Sequence, residues 1–166
     1  MRNTIKTTAV AVAALAMTSC SSIDCPLNNR VYASFKLAGD VATLDDTLTV
    51  AVPRTIDNQE EDTVVVNLLT QVDSLALPMS YSHTEDTYYF LVAQKGTGAK
   101  TTDTVRVDKE NLPHFESVDC NPAMFHTING VKFTRHAIDS IKVNNNKVTY
   151  NDAKAHFLIY FKNRSN

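Results

Sequence analysis

Between residues 30 and 162 the apolar side chains recur every second position in short runs, and no stretch sustains the 3.6-residue period of a helix. Val31, Ala33, Phe35 and Leu37 alternate with Tyr32, Ser34 and Lys36, which predicts a strand with one buried face. Leu48, Val50 and Val52 alternate in the same way, Pro53 is expected to end that run, and residues 54–61 read as a polar loop. The stretch from Thr63 to Leu69 is apolar on both faces and predicts a central strand, whereas Leu75, Leu77 and Met79 around Pro78 predict an edge or a bend. Tyr88 to Val92 is a further run, closed by a hairpin loop at Lys95-Gly96-Thr97-Gly98, and Val105 and Val107 mark a short strand after it. From Phe115 to Phe133 the apolar residues are interrupted by two turn signals, Asn121-Pro122 and Asn129-Gly130. Ile138, Ile141 and Val143 lead into Asn144-Asn145-Asn146, from which Val148 and Tyr150 lead out as the second arm of a hairpin. His156 to Phe161 predicts an inner strand. Nine or ten such runs, with only four glycines, predict an all-β fold, an antiparallel β-sandwich that is Ig-like in broad architecture, with a barrel as the alternative closure.

The exception lies at the start. Arg2 and Lys6 precede an uncharged apolar segment, Ala9 to Met17, and the small residues Thr18 and Ser19 lead to Cys20. That order is the anatomy of a cleaved secretory signal helix, and its nine-residue apolar core is too short for a permanent span, which takes about twenty residues. Met17-Thr18-Ser19-Cys20 resembles the lipobox of bacterial lipoproteins, with Met where Leu is usual. The resemblance implies a diacylglyceryl thioether on Cys20, cleavage before it and acylation of its new amine. An ordinary signal peptide with a coincidental cysteine is the alternative. Membrane attachment through lipid on Cys20 requires no second apolar span, because several acyl chains, each buried CH₂ contributing about 0.8 kcal/mol, hold a protein firmly. The expected organisation is a signal over 1–19, a lipidated tether over 20–29, a sandwich over 30–162 and a tail over 163–166.

Without residues 1–19 the chain keeps fourteen basic and eighteen acidic side chains, a net charge of −4. A mildly acidic surface with no basic patch argues against nucleic acid as a partner and against adsorption to an anionic membrane by charge. Of three cysteines, lipid on Cys20 leaves Cys25 and Cys120, an even pair in an exported chain, and predicts a disulfide between them. Two free buried thiols are the alternative, since spacing alone does not bring two Cα atoms together.

No motif of a serine hydrolase, a phosphate-binding loop, a zinc protease or a paired Cys-x-x-Cys site is present, so no catalytic residue, metal or cofactor is assigned. His83, His114, His126, His136 and His156 are scattered, without the spacing that puts two on one face, and are expected to be satisfied surface or loop residues. Asp46-Thr47, Asp62-Thr63, Asp86-Thr87 and Asp103-Thr104, with Asp139-Ser140 as a looser case, precede β runs. The simpler reading is a strand-start signal in which Asp bonds nearby backbone; the sharper one gathers acidic loops around Ca²⁺, but no Asp-x-Asp-x-Asp-Gly spacing supports it.

Several short motifs carry a family resemblance: Cys25-Pro26, Asp46-Thr47-Leu48, Leu77-Pro78-Met79, Asp103-Thr104, Glu116-Ser117-Val118-Asp119-Cys120, Ile138-Asp139-Ser140-Ile141 and Ile159-Tyr160-Phe161. From Cys25 to its end the chain resembles an uncharacterised family of small Bacteroidota envelope lipoproteins, a domain of unknown function. The resemblance implies location and fold and transfers no active site. It also bears on the side of attachment: some lipoproteins of this group reach the cell surface when acidic residues follow the lipidated cysteine. Ser21-Ser22-Ile23-Asp24 holds one acid, so the expected place is the outer membrane, facing the periplasm.

Two function classes follow. The favoured one is a non-enzymatic accessory that presents loops or an edge strand to an envelope protein or glycan partner, with Tyr81, Tyr88 and Tyr89 as candidate rim aromatics. The alternative is an envelope hydrolase or glycan-acting enzyme with an acidic site. A concave pocket with two or more carboxylates or clustered histidines favours the enzyme, and flat faces favour the accessory. A minor third option is a fibre subunit that donates its apolar C-terminal strand to a neighbour.

Overall fold

In a computed structural model, residues 25, 30–56, 59–150 and 153–163 are described. Among them ten strands form: β1 (Tyr32–Leu37), β2 (Thr47–Ile56), β3 (Gln59–Leu69), β4 (Ser74–Pro78), β5 (Glu85–Ala93), β6 (Lys100–His114), β7 (Ala123–Phe133), β8 (Ile138–Val143), β9 (Lys147–Val148) and β10 (Phe157–Phe161). Two sheets face each other, one ordered β4-β1-β10-β8 and the other β3-β2-β5-β6-β7-β9. All pairings are antiparallel except β1 with β10, which run parallel. The chain is therefore a β-sandwich, as the period-two runs predict.

The sheets interlock through aromatic rings. Phe35 of β1 stacks on Phe157 of β10 at 4.5 Å and meets Phe90 and Tyr88 of β5 edge-on at 5.8 and 6.3 Å. All four side chains are buried, and burying each contributes roughly 1.5–3 kcal/mol. Tyr88 also donates its hydroxyl to the Pro78 carbonyl at 2.9 Å, tying β5 to the edge strand β4 of the opposite sheet. The Lys95–Gly98 hairpin forms as expected, with left-handed backbone at Gly96 and Gly98 that favours glycine.

Five segments differ from expectation, the first being the strand around Val105 and Val107, which is not short but runs for 15 residues as β6. Pro53 does not end β2, and residues 54–56 and 59–61 are strand rather than loop. The pairing of β2 with β5 stops at Ala51, while Pro53 pairs with Asp62 of β3. Beyond Ala51, β2 has a partner on one side only, so a proline without an N–H interrupts no ladder on the other. β3 is an edge strand instead of a central one, leaving Val64, Leu68 and Leu69 exposed at 52, 66 and 41%.

Asn129-Gly130 is not a turn. It lies inside β7, where Asp108 pairs with Gly130 and Lys109 with Ile128, so Asn129 is the extra residue of a bulge. His126 and Ile128 point inward at even positions, whereas Val131 and Phe133 pack on the core at odd ones. One inserted residue lets both sets share a face. Finally, Asn144–Asn146 does not close a hairpin. β8 belongs to the four-stranded sheet and β9 pairs with β7 in the other, so the chain crosses between layers there.

Candidate functional site

β6 carries an inward-facing column of Asp103, Val105, Val107 and Lys109. Alternation that puts two valines into the core also puts a charge inside at each end, and each charge is met by a different set of partners.

At the Lys109 end the lysine is buried and its ammonium donates three hydrogen bonds, to the carbonyls of Ser80 and His83, both at 2.6 Å, and to Asn111 Oδ1 at 2.7 Å. Three acceptors use all three of its protons. Asp86 of β5 stands 3.6 Å from Lys109 Nζ, and both its oxygens accept the Ser80 N–H at 3.2 Å. Burial pushes the Asp86 carboxyl above its ordinary value, despite Lys109. Burial likewise pulls the Lys109 ammonium down, despite Asp86. The Asn111 amide donates to the carbonyls of Tyr81 and His83 at 3.0 Å each.

Asn111 Oδ1 also lies 2.8 Å from His126 Nδ1. An amide oxygen only accepts, so the network assigns the proton to Nδ1 and the lone pair to Nε2. Nε2 is buried without a hydrogen-bond partner among the described residues. Burial and then the nearby Lys109 charge lower the His126 pKa to about 4, so its ring is neutral at pH 7.

At the other end Asp103 is fully buried. Its carboxylate accepts the Thr134 hydroxyl and the N–H groups of His136 and Ala137 at 2.7 Å and of Ile138 at 2.8 Å. Burial alone would raise this carboxyl, but the four donors outweigh it and hold the group below its ordinary value. The effect is to clamp the connection from β7 to β8 against β6.

His156 completes the buried set. Its Nδ1 accepts the Ser34 N–H at 2.9 Å, and its Nε2, 3.1 Å from the Lys147 carbonyl, is the donor, so one ring ties β1 to β9 just before β10 begins. His126, buried inside β7, corrects the expectation of a surface or loop histidine, while His156 lies in the loop before β10 as expected but is buried and serves as an internal linker. The inward parity of His126 with Ile128 was a readable signal, whereas His156 needed the pairing partners of β1 and β9.

Among the acidic pairs, only Asp46-Thr47 stands at a strand start, where Asp46 Oδ1 accepts the Lys95 N–H at 2.8 Å. Asp62, Asp86, Asp103 and Asp139 lie within strands. Asp86 pairs with Val107 and Asp103 with Phe90, four residues along one ladder and therefore about 13 Å apart, so these acids do not gather around one ion. No group of three or more His, Cys, Asp or Glu among the described residues could hold a metal ion.

Three clefts contain carboxylates, the smallest set being Asp40 and Asp139 beside Tyr160 and Lys162 in a cleft of about 530 Å³. The other two are richer: one, of about 510 Å³, is lined by Asp40, Asp45, Asp46, Lys95 and Lys162, and the other, of about 670 Å³, by Arg54, Glu60, His83, Glu85 and Asp86. Tyr81 is exposed, while Tyr88 is inside the core and presents no rim.

Cys25 and Cys120 are joined in a disulfide with Cα atoms 5.5 Å apart. The expected signal over 1–19 and, of the expected lipidated tether, residues 20–24 (Cys20 among them) and 26–29 lie outside the described residues. No described helix is long and apolar enough to cross a membrane.

The molecule is thus an all-β sandwich with a charged pin at each end of its core and a disulfide closing one of them. The chain belongs to a family of unknown function (DUF6452), which matches residues 47–161. That stretch runs from the start of β2 to the end of β10 and includes Cys120, but not Cys25 or β1. No curated protein and no solved structure matches the chain.

Proposed function

We propose that this chain is a lipid-anchored protein of the bacterial cell envelope, held in the outer membrane through Cys20 and facing the periplasm, whose sandwich binds a protein or glycan partner rather than catalysing a reaction. The observation that carries the binding half is the placement of β3. A run of Val and Leu that could fill the middle of a sheet stands at its edge, with Val64, Leu68 and Leu69 exposed. An apolar edge strand offers unpaired backbone groups and side-chain contacts to an added strand. The anchoring half rests on the Met17-Thr18-Ser19-Cys20 motif and on the Cys25–Cys120 bond, which uses the other two thiols and belongs to an oxidising compartment.

Two measurements test the halves separately. Mass spectrometry of the mature protein should find its first residue to be Cys20 bearing diacylglycerol, and Cys20→Ser should abolish membrane attachment; an unmodified N-terminus in a soluble protein overturns the anchor. Photo-crosslinkers at Val64 and Leu69 should give a discrete adduct in intact cells that is absent from Lys132 on β7; no adduct specific to β3 overturns the binding surface.

A glycan-acting enzyme remains the second reading because Glu60, Glu85 and Asp86 line one cleft. Asp86, however, already spends its oxygens on Ser80 and Lys109. Hydrolysis of envelope glycans that disappears in Glu85→Gln would establish the enzyme.

A further inference from the structure

The connection between β6 and β7 exposes large apolar side chains at the end of the sandwich that the disulfide closes. Phe115 and Val118 are 63 and 98% exposed, among the most exposed large hydrophobic residues described. They do not hang loose. Cys120 N–H donates to the Ser117 carbonyl at 3.2 Å, closing a turn with Val118 near its tip, and Asp119 N–H bonds Ser117 Oγ at 3.4 Å. At the strand ends that lead into and out of the turn, His114 stacks on Phe125 at 4.3 Å, and Tyr150 meets Phe125 edge-on at 5.0 Å. Val118 therefore stands outward at the tip of a hydrogen-bonded turn, two residues from the cystine.

The tether decides what meets it. Cys25 is five residues from Cys20, and a fully extended chain of that length reaches at most about 18 Å. Cys25 is bonded to Cys120, so the lipidated residue cannot stand far from the Val118 turn. Resting on the anchor reading, we propose that the Phe115–Val118 turn seats in the headgroup region of the membrane that holds Cys20, so that the domain stands on the bilayer by this end and points the Asp103 end away from it. Shallow insertion of apolar side chains to about 5–10 Å needs no span and no basic surface. Glu116 and Asp119 flank Val118, which makes zwitterionic lipid the preferred surface.

The chain contains no tryptophan, so a single one reports cleanly. The acylated full-length mature protein is reconstituted in phosphatidylcholine vesicles with and without bromine-labelled acyl chains, as Val118→Trp and, for the far end, as Leu69→Trp on β3. The proposal expects Val118→Trp to lose at least about half its emission to the brominated lipid with a blue shift, Leu69→Trp to lose little, and added anionic lipid to weaken the quenching. Protein that floats with the vesicles while Val118→Trp stays unquenched overturns the proposal but leaves the anchor intact, and gives the turn to another occupant. Protein that does not float at all removes the tether, and the proposal falls with the anchor reading.

Discussion

Asp86 and Asp103 begin the same dipeptide, Asp-Thr, on neighbouring strands of one sheet, and both turn inward, yet the fold treats them in opposite ways. Asp103 accepts three backbone N–H groups and a hydroxyl, each at 2.7–2.8 Å, and is held below its ordinary value. Asp86 accepts one N–H at 3.2 Å and depends on a buried lysine 3.6 Å away, and is pushed above it. What a buried carboxylate contributes is decided by how many donors converge on it more than by its burial or by an opposite charge nearby. The Asp103 end is held by many short bonds to the carboxylate. The Asp86 end is held by a lysine–carbonyl network and by the disulfide.

The largest expected effect concerns that division. Reducing Cys25–Cys120 releases a loop of 95 residues and should cost about 4–5 kcal/mol on the chain-entropy account. Hydrogen exchange should then quicken at Tyr81, His83 and Asn111 before Ala137 and Ile138; uniform quickening would break the contrast between the ends. Next comes Lys109→Met, which leaves the Asp86 carboxylate and two carbonyls buried without their donor and should cost about 3–5 kcal/mol in denaturant unfolding. Adding Asp86→Leu should restore much of it, because the uncompensated charge is gone; no restoration would mean that Lys109 acts through its carbonyl bonds alone.

His126 comes third. Its unfolded pKa lies near 6.5 and its folded pKa near 4, so on acidification the unfolded chain takes up the proton first. Stability is then complete above pH 6.5 and falls by about 3 kcal/mol down to pH 4, and His126→Phe should flatten that slope. The smallest effect is Asp103→Asn, which turns an amide N–H₂ towards backbone donors and should cost about 2 kcal/mol at neutral pH. Because the folded pKa of Asp103 is depressed, its contribution is present above the ordinary 3.8 and is lost as pH falls through the folded value. The variant should lose that acid-limb dependence, and an unchanged acid limb would show that the clamp carries no charge.

The sandwich itself was legible because period-two alternation states which residues face inward, as in β1 and β5. Neighbours were not. Thr63 to Leu69 is apolar enough for a central strand, and nothing in those residues announces that no strand pairs beyond them. Pro53 read as a stop because its lost N–H matters only if a partner lies on that side, which the sequence does not say. At Asn129 the clue was visible as a change of parity between Ile128 and Val131, but a turn signal at the same place offered a simpler reading. The pins were hidden for another reason. Asp86, Asp103, Lys109 and His156 find most of their partners in other elements of the fold, and the alternation that makes β6 a strand gives equal weight to Asp103, Val105, Val107 and Lys109. Cys25 and Cys120 could be paired by parity once Cys20 was set aside, which is counting and not geometry.

Site-resolved carboxyl titration by NMR tests the opposition of the two ends most directly. Asp103 should titrate below the ordinary 3.8 and Asp86 above it, with Lys109→Met moving Asp86 further up and leaving Asp103 in place. Two carboxyls that titrate together, or Asp86 below Asp103, would contradict it.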